Sequence, residues 1–222
     1  MKKENKVSVS FAIIGLLAGG ASGNVILSFD SGSYDNPGDW SNNSGTISGS
    51  HAHDGAFGIS DPDWTYSTAN TVAVGDTLSA WYRPSNPSEG RFYLGFGADG
   101  SGTQSFVLAP NTGDIRFQDN PSYGFTELDT QSFSFSSQWY FVEVTRNSVS
   151  SATGRVYDSD GSTLLASLTQ TGLTRTAEGV ALRSFDGGSI DTVATSTSPI
   201  PEPSSILPLL GIIALGFAAR RR

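Results

Sequence analysis

The sequence predicts an all-β fold: an antiparallel β-sandwich of the jelly-roll kind over residues 24–195, flanked by an N-terminal signal peptide and a C-terminal transmembrane helix. Three observations carry this expectation. Short segments with period-2 alternation recur between turn signals, the pattern of half-buried strands. No stretch between residues 24 and 198 repeats its apolar residues every 3.6 positions. The composition, with 26 Gly and 11% aromatic residues beside abundant Ser, Thr, Asp and Asn, suits many short strands joined by tight turns. About a dozen such strands argue for two packed antiparallel sheets.

The elements follow in chain order. Lys2, Lys3 and Lys6 form a positive n-region, Phe11 to Ala18 a short apolar run, and Gly19 to Gly23 a set of small residues. These are the three parts of a secretory signal peptide over residues 1–23, with Ala21 and Gly23 at the −3 and −1 positions of a cut. Residues 24–71 alternate less clearly and are expected to supply outer strands and loops. Thr77 to Arg83 places Leu78, Ala80 and Tyr82 on one face, with Ser79, Trp81 and Arg83 on the other. Arg91 to Phe96 groups Phe92, Leu94 and Phe96, and Asp114 to Gln118 repeats the pattern. Trp139 to Arg146 sets Tyr140, Val142 and Val144 opposite Trp139, Phe141 and Glu143. Gly154 to Tyr157, the turn Asp158 to Gly161, and Thr163 to Leu168 read as a hairpin. Gly179 to Phe185 and Ser189 to Val193 read as a final strand pair.

Residues 196–200 are a polar, Pro-marked linker. Beyond it lie Pro201, Glu202 and Pro203, an apolar stretch from Ile206 to Ala219, and three terminal arginines, Arg220, Arg221 and Arg222. A helix over those apolar residues rises about 21 Å, short of a hydrocarbon core of roughly 30 Å. Ser204, Ser205 and snorkelling arginines close part of the gap, giving a transmembrane helix at about 204–219. Under the positive-inside rule the arginines stay cytoplasmic and the sandwich faces outward.

This tail resembles the PEP-CTERM sorting signal over residues 200–222, with all three parts in order. The resemblance implies processing by an exosortase, a membrane-embedded transpeptidase or protease that reads Pro201, Glu202 and Pro203. It also implies a transient hold at the inner membrane, then release to the cell surface or exterior in an organism that makes exopolysaccharide. A signal peptidase is the partner implied at the other end. Two prolines keep the motif extended just outside the bilayer.

Six of the 13 Lys and Arg residues lie at the two ends, leaving seven Arg against 19 Asp and Glu in the middle, a net −12 there. Such an acidic surface repels phosphate backbones and excludes nucleic acid as a partner, while neutral polysaccharides and divalent cations stay compatible. With no Cys in the chain, neither disulfides nor thiolate metal sites exist.

A catalytic signature is missing. Sandwich glycanases need two carboxyls about 5–10 Å apart, and no second acid joins Glu143 on its face. His51 and His53 are the only histidines, and no Gly-x-Ser-x-Gly occurs. The chain is expected to be non-catalytic. His51, His53 and Asp54 form either a ligand-contacting loop or a polar turn. Asp158, Asp160 and Gly161 form either the start of a calcium loop or a hairpin turn.

Gly75 to Pro84, Trp139 to Val144, Val156 to Leu165, Gly179 to Phe185, Ile190 and Asp191 together resemble a laminin-G-like, concanavalin-A-like jelly roll over roughly residues 72–194. Members of that superfamily usually bind glycans or proteins, and some are glycanases. The resemblance implies one structural calcium tying the terminal strands through Asp30 and Asp191. Exposed aromatics stack on pyranose rings while polar neighbours take the hydroxyls. Trp40, Trp64, Tyr66 and Trp81 are the candidate sugar platforms, and exopolysaccharide or another glycan is the expected ligand. A matrix protein without a small ligand, or a glycan-active enzyme with an unusual site, are the other classes left open.

Overall fold

Alternation along the chain becomes two layers of strands. The protein's structure, a computed structural model, describes residues 23–197. The signal peptide, the Pro201, Glu202 and Pro203 motif, the apolar stretch and the terminal arginines lie outside the described residues. Among the described residues no helix is long and apolar enough to cross a membrane.

The strands are β1 (Asn24–Leu27), β2 (Thr46–Ser48), β3 (Gly58–Ser60), β4 (Thr65–Thr71), β5 (Thr77–Arg83), β6 (Arg91–Asp99) and β7 (Gly102–Ala109). They continue with β8 (Asp114–Pro121), β9 (Thr126–Ser132), β10 (Tyr140–Ser148), β11 (Ser151–Tyr157), β12 (Leu164–Thr171), β13 (Gly179–Phe185) and β14 (Ser189–Ser196). Two single-turn 3₁₀ helices, Pro37–Asp39 and Gly49–His51, are the described helical elements.

One sheet of eight strands runs β12-β11-β10-β5-β14-β3-β2, with β1 also pairing β14. The other, of six strands, runs β4-β13-β6-β7-β8-β9. Every pairing is antiparallel, and the first strand closes on the last through Asn24 and Thr195. The fold is the antiparallel two-layer sandwich that the alternation predicts.

The core lies between the sheets. Leu78, Ala80, Tyr82, Val142 and Val144 from one layer meet Phe92, Leu94, Phe96, Phe106 and Phe117 from the other. These inward faces are the ones the period-2 reading assigns to β5, β6 and β10. Tyr82 stacks on Phe92 with centroids 4.9 Å apart, so aromatic contact bridges the layers. Burial of large side chains is the main stabilising term in such a core.

The hairpin at Asp158 to Gly161 joins β11 and β12 as read: Gly161 N–H donates to Asp158 O at 2.9 Å. Asp160 accepts from the amides of Ser162 and Thr163, both at 2.8 Å, so the carboxylate caps a turn. The expected final pair differs. β13 sits in the six-stranded sheet and β14 in the eight-stranded one, so the chain crosses between layers at Asp186 to Gly188. Two short adjacent strands look like a hairpin in sequence, but a corner between layers uses the same Asp and Gly residues.

Candidate carbohydrate-binding site

On β6, with Phe92 and Leu94 in the core, alternation turns Arg91 and Tyr93 to the outside of the six-stranded sheet. On β13, with Leu182 in the core, it turns Arg183 and Phe185 outward too. Register sets Arg183 beside Tyr93 and Phe185 beside Arg91. The turn after β7 brings Asn111, whose side-chain oxygen accepts from Arg91 Nε at 2.9 Å.

A loop from the far side of the sheet completes the site. After β8 the backbone of Ser122 and Tyr123 takes φ of 50° and 61°, the left-handed region that non-glycine residues seldom adopt. Ser122 N–H donates to Ser101 O at 2.6 Å, Asn120 Nδ2 to Gly124 O at 2.7 Å, and Tyr123 Oη to Asp99 O at 2.7 Å. These bonds hold the turn over the sheet. Tyr123 then lies 5.2 Å from Trp64 and 5.4 Å from Tyr66, while Phe125 lies 5.9 Å from Tyr93. Phe125 remains 56% exposed, an apolar ring facing solvent where a ligand can reach it.

Arg183 stands at the centre. Its guanidinium carbon is 5.2 Å from the Phe125 ring, 5.3 Å from Phe185, 5.6 Å from Tyr93 and 5.8 Å from Trp64. Nε meets Asp63 at 3.3 Å on the solvent side. Beside it opens a cavity of about 370 Å³ lined by Arg91, Tyr93, Asn111, Phe125, Arg183 and Phe185. Apolar rings with a few convergent polar groups are what a small-ligand site is built from.

A second hollow, of about 430 Å³, lies where β5 ends and β14 begins in the other sheet and is lined by Ser50, His51, Arg83, Pro84, Ser85, Ser137, Gly187 and Ser189. Its polar groups already engage one another: Arg83 donates to Ser50 O at 2.8 Å, and His51 shares a hydrogen bond with Ser189 at 2.9 Å. Burial, then the neighbouring Arg83, lowers the His51 pKa.

The four aromatics singled out in the sequence separate. Trp64 and Tyr66 join the cluster above the six-stranded sheet. Trp40 does not present a ring to solvent: it is only 6% exposed and packs on Tyr34 in the core. Its polar-looking loop folds down onto the sandwich. Trp81 lies outside the eight-stranded sheet, and its face is taken. His53 stacks on it at 3.7 Å, Phe141 packs at 5.1 Å, and Gly161 closes over the far edge of the indole. Trp139, just before β10, also lies outside that sheet, beneath the Arg83 guanidinium at 4.8 Å.

Asp30 and Asp191, the pair through which the resemblance implies a calcium bridge, both accept hydrogen bonds from backbone amides. Asp30 Oδ1 accepts from Ala56 N–H at 2.7 Å. Buried Asp191 accepts from His53 N–H at 2.7 Å, Asp54 N–H at 2.9 Å and Thr192 N–H at 2.7 Å. The two acids clamp the segment from His53 to Ala56 from both ends. Calcium takes six to eight oxygen ligands. Among the described residues no three His, Cys, Asp or Glu side chains converge, so any such ion would draw most of its ligands from backbone carbonyls and water.

Tyr93 and Phe185 could have been found in the sequence, because each sets an aromatic ring on the outward side of a strand whose other side is apolar. Phe125, Tyr123 and Asn111 reach the site through turns that carry no such signal.

No protein-family model matches the chain, and no curated protein matches it in sequence. Among solved structures, it is similar to the carbohydrate-binding module CBM66 from Bacillus subtilis, with a TM-score of 0.53 and 11% identity over 71% of this chain and 95% of that one. A toad ovary galectin in complex with thio-digalactose gives a TM-score of 0.45 and 13% identity over 60% of this chain and 98% of that one. A Caenorhabditis elegans galectin gives 0.43 and 14% over 57% and 86%. At 11% identity the likeness to the CBM66 module shows the sandwich fold alone.

Proposed function

We propose that this chain is an exported, exosortase-processed envelope or extracellular protein whose sandwich binds carbohydrate or exopolysaccharide in the Arg183 cavity. One observation carries the binding reading: exposed Phe125 and half-buried Phe185, over the buried Tyr93 ring, border a cavity that also holds the guanidinium groups of Arg91 and Arg183 and the amide of Asn111. Rings stack on the apolar faces of sugars, and fixed donors take their hydroxyls. The solved sandwich named as a carbohydrate-binding module supports the same class. Among the described residues no carboxylate lines either cavity, which favours binding over glycoside hydrolysis. The signal peptide and the three-part tail support export and sorting.

The test is retention of the full chain, purified in mild detergent, on immobilised dextran, galactomannan and polygalacturonate and on a glycan array. Retention on at least one glycan, lost in Phe125→Ala, is expected. Absence of retention on every glycan refutes the binding reading and leaves a matrix protein without a small ligand. Replacing Pro201, Glu202 and Pro203 by alanine is expected to leave the chain in the membrane fraction; unchanged release would refute exosortase processing.

A further inference from the structure

Resting on that reading, we infer that the Arg183 cavity selects acidic sugars, with a uronate carboxylate seated between Arg183 and Arg91. The sandwich carries seven arginines in a strongly acidic segment, and two of them line this one cavity. No acid lines it. Arg183 and Arg91 project from the same face of neighbouring strands as diagonal cross-strand neighbours, with backbones about 7–8 Å apart. Like charges at that spacing repel unless an anion lies between them.

The hydrogen bonds distinguish this pair from the other arginines. Arg116 is held by Asp114, Glu127 and Thr112. Arg146 donates to three backbone carbonyls, and Arg175 to Asp119 and Ser101. Arg155 reaches Thr145, and Arg83 reaches Ser50 and Ser189. By contrast, Arg183 and Arg91 each use only Nε, toward Asp63 and Asn111. Among the described residues the Nη1 and Nη2 groups of both have no acceptor. Nη groups form the fork that takes a carboxylate with two parallel bonds.

Surroundings strengthen the fork. Four aromatic rings within 5.2–5.8 Å strip water from the Arg183 guanidinium and fix its plane. Its carboxylate partner Asp63 has a side chain 69% exposed, so that pair is solvent-screened and leaves most of the charge for a ligand. A neutral sugar would leave the Nη donors facing ring hydroxyls, whereas a uronate supplies both a stacking face and a paired carboxylate. The acidity of the rest of the surface does not forbid this, because fields beyond about 8 Å are screened at physiological salt.

Calorimetry on the full chain in detergent tests the inference, with trigalacturonate and its methyl ester as probes. The acid is expected to bind at least about tenfold more tightly than the ester, and to weaken as salt rises. Arg91→Gln, a substitution at the cavity rim, is expected to abolish the preference with the melting temperature unchanged, and Arg183→Gln to do the same with some loss of stability. Equal binding of acid and ester, or binding of neutral glycans alone, would overturn the acidic specificity while sparing the sugar-binding reading. A preference that survives in both folded variants would place the anion elsewhere and overturn the assignment. Failure on every glycan would remove the underlying reading as well.

Discussion

Replacing Gly154 by alanine tests how closely the two layers approach. Gly154 lies on β11, paired with Val144 on one side and Leu168 on the other, and its Cα faces the opposite sheet. A Cβ built there would sit 2.5 Å from Cγ of Phe106 and closer still to two other carbons of that ring. Ordinary carbon contacts lie near 3.5 Å, so the ring would have to retreat by about 1 Å. Phe106 is fully buried and packs on Phe117 at 5.2 Å, which blocks the retreat. Overpacking of this kind costs roughly 1–3 kcal/mol. Losing glycine's freedom in the unfolded chain returns about 0.4–1 kcal/mol. The expected net loss is about 1–2 kcal/mol, a drop in Tm of roughly 2–8 °C for a domain of this size. Circular dichroism melting of the full chain reads it, with Phe106→Leu as the second arm. On the leucine background the added methyl should cost little, because the obstructing ring is gone. A Gly154→Ala protein as stable as the parent, or a penalty unchanged by Phe106→Leu, would refute the steric argument.

Arg146 points inward at one end of the sandwich, 3% exposed, and donates to Val72 O, Ala177 O and Arg175 O at 3.1, 2.8 and 3.0 Å. Arg146→Met leaves those carbonyls unpaired and is expected to cost about 3 kcal/mol, with an unchanged Tm as the contrary result. Hydrogen bonds from the Thr163 side chain and the Thr163 and Ser162 amides hold the Asp160 pKa down to about 2 from 3.8. Because the folded value is depressed, its contribution is complete above the unfolded pKa and is lost as pH falls from about 4 through 2. An amide titration of Thr163 should show a midpoint near 2, absent in Asp160→Asn; a midpoint near 4 would contradict the turn geometry. Asp191→Asn keeps the shape but replaces one accepting oxygen by a donor, so amide exchange at His53 and Asp54 should quicken, and unchanged exchange would deny the clamp. With both carboxylates occupied by backbone amides, millimolar calcium is expected to leave Tm unmoved, whereas a rise would give Asp30 and Asp191 the metal role that the resemblance implies.

Strand faces were legible because side-chain alternation has a fixed period. Leu78, Ala80 and Tyr82 face the core, as do Tyr140, Val142 and Val144, as their spacing requires. Pairing partners were not legible. Ser189 to Val193 alternates equally well whether it pairs with β13 or, as found, with β5, β3 and β1. The cavity's own lining was not singled out in the sequence: Trp64 and Tyr66 pack in the aromatic cluster beside it, whereas Trp40 had the same Asp, Asn and Pro neighbours and is buried. Loop composition reports polarity, not the direction in which a loop folds. Trp81 faces outward as read, and His53, distant in sequence, stacks on its ring. Arg183 is a single charge in an ordinary strand, and only the β6–β13 register and the turn at Ser122 and Tyr123 surround it with rings.

The central claim is that sugar binds above the six-stranded sheet, and hydrogen–deuterium exchange on the full chain with a glycan retained in the binding screen tests it most directly. Occupancy of the cavity should slow exchange at Tyr123 to Phe125 and Arg183 to Phe185, and leave Trp81 and its neighbours on β5 unchanged. Protection confined to the Trp81 face, or none at saturating glycan, would contradict it.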